Sequence, residues 1–140
     1  MKQIPVIFWT GTGNTQMMAD AVAEAINAAG AEAVVKNVSE ITADEAAGYD
    51  ALALGCPAMG AEVLEECEFE PFFTELEGKL AGKKVALFGS YGWGGTYMQD
   101  WEARVKDAGA TLVADGVLAL GAPDDEAMAK LAEAGKLLVE

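Results

Sequence analysis

The sequence predicts an α/β protein built on an open, doubly wound sheet of five parallel strands in the order 2-1-3-4-5. Three observations carry this. Apolar runs of strand length alternate with helix-period patterns along the whole chain, the arrangement that forces right-handed crossovers and helices on both sheet faces. Two of the runs, "ALALGC" and "KVALFG", are continuously apolar, as expected of strands buried on both sides. Five such runs and four or five helices fit 140 residues as a single domain, 1–140, with room for a real core.

The elements follow in order. "IPVIFW" (Ile4 to Trp9) is the first strand. Met18, Val22 and Ile26 then recur every four residues, with Gly30 placed as a helix stop. "AVVKNV" (Ala33 to Val38) is weaker and reads as an edge strand, and Ala51 to Cys56 is the third strand. A helix is expected from Phe69 to Leu80, with Gly82 behind it, and the fourth strand from Lys84 to Gly89. A further helix runs from about Met98 to Ala108 and closes at Gly109. "LVADGVLAL" (Leu112 to Leu120) supplies the last strand, interrupted around Asp115-Gly116, and the last helix begins near Asp124-Asp125 behind Pro123.

Composition narrows the function. Hydrophobic residues at 52% and charged residues at 23% describe an ordinary soluble domain. Histidine is absent, which removes imidazole metal sites and Ser-His hydrolases. Cys56 and Cys67 form neither a Cys-x-x-Cys motif nor a secreted disulfide framework. With no signal peptide and no long apolar run, the chain reads as cytoplasmic. A net charge of −14 repels nucleic acid and anionic membranes and attracts partners with basic faces, or it simply keeps the protein in solution.

In such sheets ligands bind at the carboxyl ends of the strands, beside the switch point between strands 1 and 3. Three unusual loops should meet there. The first, "TGTGNT" (Thr10 to Thr15), joins a buried strand to a helix N-terminus, where unpaired backbone N–H groups attract an anion. The hydroxyls of Thr10, Thr12 and Thr15 and the Asn14 amide add donors, and Gly11 and Gly13 let the backbone approach closely. It is a phosphate loop that uses dipoles alone.

It is not one of the common kinds. No lysine lies between Lys2 and Lys36, so no nucleotide P-loop exists here. The dinucleotide fingerprint meets Gln16 at its third glycine, and the residue that a Cys-x5-Arg phosphatase motif would fill with arginine is Glu62. A response-regulator receiver needs acids where Trp9 and Cys56 stand. The second loop, "CPAMGAE" (Cys56 to Glu62), and the third, "GSYGWGG" (Gly89 to Gly95), bring Met59 and Trp93 to the sides of the phosphate site. Together the three describe a phosphorylated aromatic ligand.

"TGTGNT", "GCPAMG" and "GSYGWG", in this order and at these strand ends, resemble the short-chain flavodoxins, small FMN-binding electron carriers of anaerobic bacteria, over the full 140 residues. The resemblance implies a flavodoxin-like fold and FMN as cofactor. Thr10, Thr12, Asn14, Thr15 and Ser90 would bind the phosphate with backbone N–H groups of the loop at Gly11 and Gly13. Met59 and Trp93 would flank the isoalloxazine, the Gly60 carbonyl would turn toward flavin N5, and Glu62 would bind N3–H. Backbone near Gly92 would meet the pyrimidine oxygen, and Pro57, Ala58, Tyr91 and Gly94 complete the loops. Pro57 stands where some members carry serine, one hydroxyl donor fewer.

On this reading the protein has no catalytic residues and is no enzyme. It is a low-potential one-electron carrier between the semiquinone and hydroquinone states of FMN, because −14 disfavours adding negative charge. Glu62, Glu65, Glu66, Glu68 and Glu70 would form a docking surface for basic redox partners of a monomer that binds neither nucleic acid nor membrane. The rivals are a flavodoxin-fold NAD(P)H-dependent quinone or FMN reductase, which turns over NADPH unaided, and a flavin-free interaction module, which is colourless.

Overall fold

The computed structural model describes residues 2–9, 13–57, 68–91, 96–120 and 122–139. Strand β1 (Gln3–Phe8) lies between two parallel neighbours, β2 (Glu32–Asn37) and β3 (Ala51–Gly55), with Val6 opposite both Val35 and Ala53. β3 pairs in parallel with β4 (Lys84–Tyr91), from Ala51 opposite Lys84 to Gly55 opposite Phe88. The last strand is split. β5 (Thr111–Leu112) pairs with the start of β4 and β6 (Val117–Leu120) with its end. The order is therefore 2-1-3-4-5, with β6 completing the fifth position.

Side-chain alternation along these strands sorts the core into two layers. Ile4, Val6 and Phe8 of β1 face one side with the small residues Ala51, Ala53 and Ala86. Helices α1 (Asn14–Ala28) and α5 (Asp125–Val139) cover it, burying Met18, Val22, Ile26, Leu131 and Leu138. Ile7, Leu52, Leu54, Val85 and Leu87 face the other side, under α3 (Phe69–Glu77) and α4 (Thr96–Asp107). Small strand residues let α1 and α5 approach the sheet closely, and large aromatics fill the second layer. Trp101 meets Phe69 and Phe73 edge-on at 5.4 and 5.9 Å, an arrangement that aromatic quadrupoles favour.

Most predicted boundaries hold within one or two residues, and three differences have physical causes. β4 runs on to Tyr91, two residues beyond its predicted end, because Phe88 to Tyr91 find partners in Val117 to Leu120. α3 stops at Glu77 with Gly78 as its C-cap, although Leu80 beyond it remains buried. A 3₁₀ turn (Val38–Glu40) and a one-turn helix α2 (Ala43–Ala46) occupy the β2–β3 connection, where no element was expected. Each opens with a capping box, Asn37 with Glu40 and Thr42 with Glu45, which satisfies the orphan N–H groups of so short a helix. No helix among the described residues is long and apolar enough to cross a membrane.

Candidate functional site

Three connections leave the carboxyl rim of the sheet side by side: after β1, after β3 and after β4. The Trp9 N–H bonds to the Gly55 carbonyl at 3.0 Å and the Cys56 N–H to the Phe88 carbonyl at 3.1 Å, so the ladder carries on to the lip of the rim. Of the residues expected to bind the cofactor, Gly13, Asn14, Thr15, Pro57, Ser90 and Tyr91 are described. Thr10, Gly11, Thr12, Ala58, Met59, Gly60, Glu62, Gly92, Trp93 and Gly94 lie outside the described residues, as do Glu65 and Glu66.

The first turn of α1 is built for an anion. Gly13 is its N-cap, at φ +93° in the left-handed region that glycine enters without strain. Among the described residues no side chain caps the turn, and no acid lies in it. The positive end of the helix dipole and its N–H groups thus face outward from the rim. Thr15, in this first turn, is only 1% exposed. Its Oγ1 stands 3.5 Å from Oγ of Ser90, itself 7% exposed. A mutual bond uses one of the two O–H donors and leaves the other for a third group.

Ser90 was expected in a loop and instead lies on β4, opposite Ala119. A strand holds the hydroxyl more firmly than a loop would. The structure thus brings Ser90 beside Thr15 in the first turn of α1, which Gly13 opens. Asn14 begins α1 half-buried, and Pro57 and Tyr91, also half-buried, mark where the second and third loops depart. These donors suit a phosphate: a helix N-terminus without an acid in its first turn, a glycine in the left-handed region, and two hydroxyls held in place by the core.

Two contacts that the sequence did not single out tie the rim together. The Trp9 indole N–H donates to Glu68 Oε1 at 3.3 Å, joining the end of β1 to the residue before α3. The Tyr97 hydroxyl, at the start of α4, donates to the Cys56 carbonyl at 2.8 Å. Burial, and then the neighbouring Cys56, push the Tyr97 phenol above its ordinary value, so it remains a proton donor. One acid of the expected docking surface proves to be engaged internally. Glu70 accepts both terminal nitrogens of Arg104, at 2.7 and 2.9 Å, which holds its carboxyl below the usual range.

Fold and site together define a class: a doubly wound α/β protein whose first helix starts at the switch point of the sheet with donors suited to an anion and, among its described residues, no basic side chain. The sequence model of the flavodoxin family matches residues 6–135. The flavodoxin of Clostridium beijerinckii is 48% identical over 121 residues, 86% of this chain and 88% of that one. The flavodoxin of Megasphaera elsdenii is 47% identical over 116 residues, 82% and 85% of the two chains. The solution structure of two-electron reduced M. elsdenii flavodoxin superposes with a TM-score of 0.87 at 44% identity, covering 95% of this chain and 98% of that one. The chain belongs to the flavodoxin family, the FMN-dependent electron carriers.

Proposed function

We propose that the protein is a low-potential one-electron carrier whose FMN sits on the carboxyl rim, its phosphate on the first turn of α1 and its ring between the second and third loops. The observation that carries this is the first turn of α1, which holds no acid and is backed by the buried hydroxyls of Thr15 and Ser90. FMN, when bound, supplies the redox chemistry. The chain's own residues do the rest. Backbone N–H groups, Thr15 and Ser90 hold the phosphate, and Met59 and Trp93 exclude water from the faces of the ring. The surrounding charge of −14 opposes any further negative charge at the site, which lowers the potential at which an electron leaves.

Partners with basic surfaces dock on the acidic side of this rim, with Glu62, Glu65 and Glu66 as candidates, since Glu70 is assigned to Arg104 and Glu68 to the Trp9 indole N–H. The protein works as a monomer in the cytoplasm. Fluorescence titration of the flavin-free protein tests the assignment: FMN binds far more tightly than riboflavin, which lacks the phosphate. Equal affinities would sink it. Stepwise reduction of the loaded protein should resolve two one-electron stages, the second at low potential.

A further inference from the structure

Three segments meet at the rim with no space between them. Cys56 follows β3 directly, Gly89 lies in β4, and Tyr97 opens α4. The Tyr97 ring is 2% exposed, and its hydroxyl reaches across to the Cys56 carbonyl at 2.8 Å. Gly89 makes this possible. A Cβ there would lie 2.1 Å from the Cys56 carbonyl oxygen and 2.2 Å from the Tyr97 hydroxyl, far inside contact distance of both. Any side chain at position 89 would have to push the Cys56 backbone away from α4.

The location gives the bond its meaning. Cys56 and Pro57 are where the backbone leaves β3 for the loop that carries Met59. Tyr97 is four residues beyond Trp93, where the third loop rejoins a helix. One hydroxyl therefore links the departure of one loop to the return of the other. The rest of the ring is ordinary core, packed with Met98 and Trp101, and needs no hydroxyl.

We infer that Tyr97 is a positioning residue for the flavin: its hydrogen bond to the Cys56 carbonyl, over the bare backbone of Gly89, sets the separation of the second and third loops and so the width of the slot that takes the ring. The inference rests on the proposal that Met59 and Trp93 form that slot. Its signature differs from that of a phosphate contact. Riboflavin and FMN share the ring, so a widened slot weakens both by the same factor.

The experiment is a pair of titrations, FMN and riboflavin, against flavin-free wild type, Tyr97→Phe and Gly89→Ala, with denaturation midpoints measured alongside. Tyr97→Phe keeps the ring and deletes the bond, while Gly89→Ala forces the same junction open by driving a methyl against both the Cys56 carbonyl and the Tyr97 hydroxyl. Both dissociation constants should rise in each variant by a common factor of roughly 5 to 30, the range expected when a buried hydrogen bond is lost. A lower denaturation midpoint in Tyr97→Phe with both dissociation constants within twofold of wild type would make Tyr97 a core residue only and overturn the inference. Weakening of FMN alone would also overturn it, since the bond would then act on the phosphate. Failure of the wild type to bind either flavin is a separate result, one that removes the FMN assignment itself and the slot with it.

Discussion

Thr15 and Ser90 are 75 positions apart in the chain and 3.5 Å apart in space. Buried hydroxyls so close to a helix N-terminus have a definite energetic role, because a hydrogen bond to a charged group contributes about 1.5–3 kcal/mol where a neutral one contributes about 1. Thr15→Ala should therefore weaken FMN by about 1–3 kcal/mol, roughly 5- to 150-fold, and leave riboflavin unchanged. Fluorescence quenching with the two flavins measures both. Each residue was legible alone as a small donor beside a glycine-rich loop. Their meeting was not, since it depends on β4 continuing as a strand through Ser90, which pairing with Ala119 of β6, later in the sequence, brings about. Tyr97 was less legible still. A tyrosine among Met98, Trp101 and Val105 reads as one more core aromatic, and only the bare backbone at Gly89 turns its hydroxyl into a brace.

Among the elements, the α3–α4 pair is joined by one cation. Arg104 donates to Glu70 and, through Nε at 3.1 Å, to Glu77, while its guanidinium lies 4.7 Å from the centre of the Phe73 ring. Glu70 also accepts the Thr74 hydroxyl at 2.6 Å. The Glu70 carboxyl is therefore more acidic folded than unfolded, chiefly through its hydrogen bonds to Arg104. Its contribution is fully present above the ordinary glutamate value of 4.5 and is lost as the pH falls through the lower, folded value. The pair is partly exposed, so the gain is about 1 kcal/mol or less. Urea midpoints of Glu70→Gln should lie below wild type at pH 7 and converge with it as the pH drops below 4.5.

The helices of this pair were legible in the sequence because each presents a buried stripe at helical spacing. Arg104 was not, because the partner of a half-buried charge depends on which helix packs beside it. The one-turn α2 escaped for another reason. Its four residues are too few to show any period, although Thr42 and Glu45 spell its capping box.

At the scale of the whole molecule the dominant property is charge, nine basic side chains against 23 acidic ones. A basic acceptor should be reduced more slowly as salt rises, because the Debye length falls from ~10 Å at 0.1 M to ~3 Å at 1 M ionic strength. Stopped-flow rates across that range check this, and a flat profile would leave the glutamates as mere solubilisers. The strand order was legible as a whole because both central strands are apolar without interruption and the β2 region is not. Val35 of that edge strand is indeed 39% exposed.

The parallel sheet also gives the molecule two unlike ends. Every strand points its carboxyl terminus at the same rim, so the turns that precede the strands gather at the far side. Gly82 donates there to the Gly109 carbonyl at 3.1 Å, and Ala81 beside it is exposed. β4 carries the chain from that turn to the opposite rim over eight residues, Lys84 to Tyr91, about 25 Å of extended chain. A thiol introduced at Ala81 would thus hang the protein from a gold surface with its loops facing the solution. A film anchored in this way would be insulated from the metal by the length of its own sheet yet open to soluble partners, which makes Ala81 a handle for wiring this carrier to an enzyme and not to an electrode.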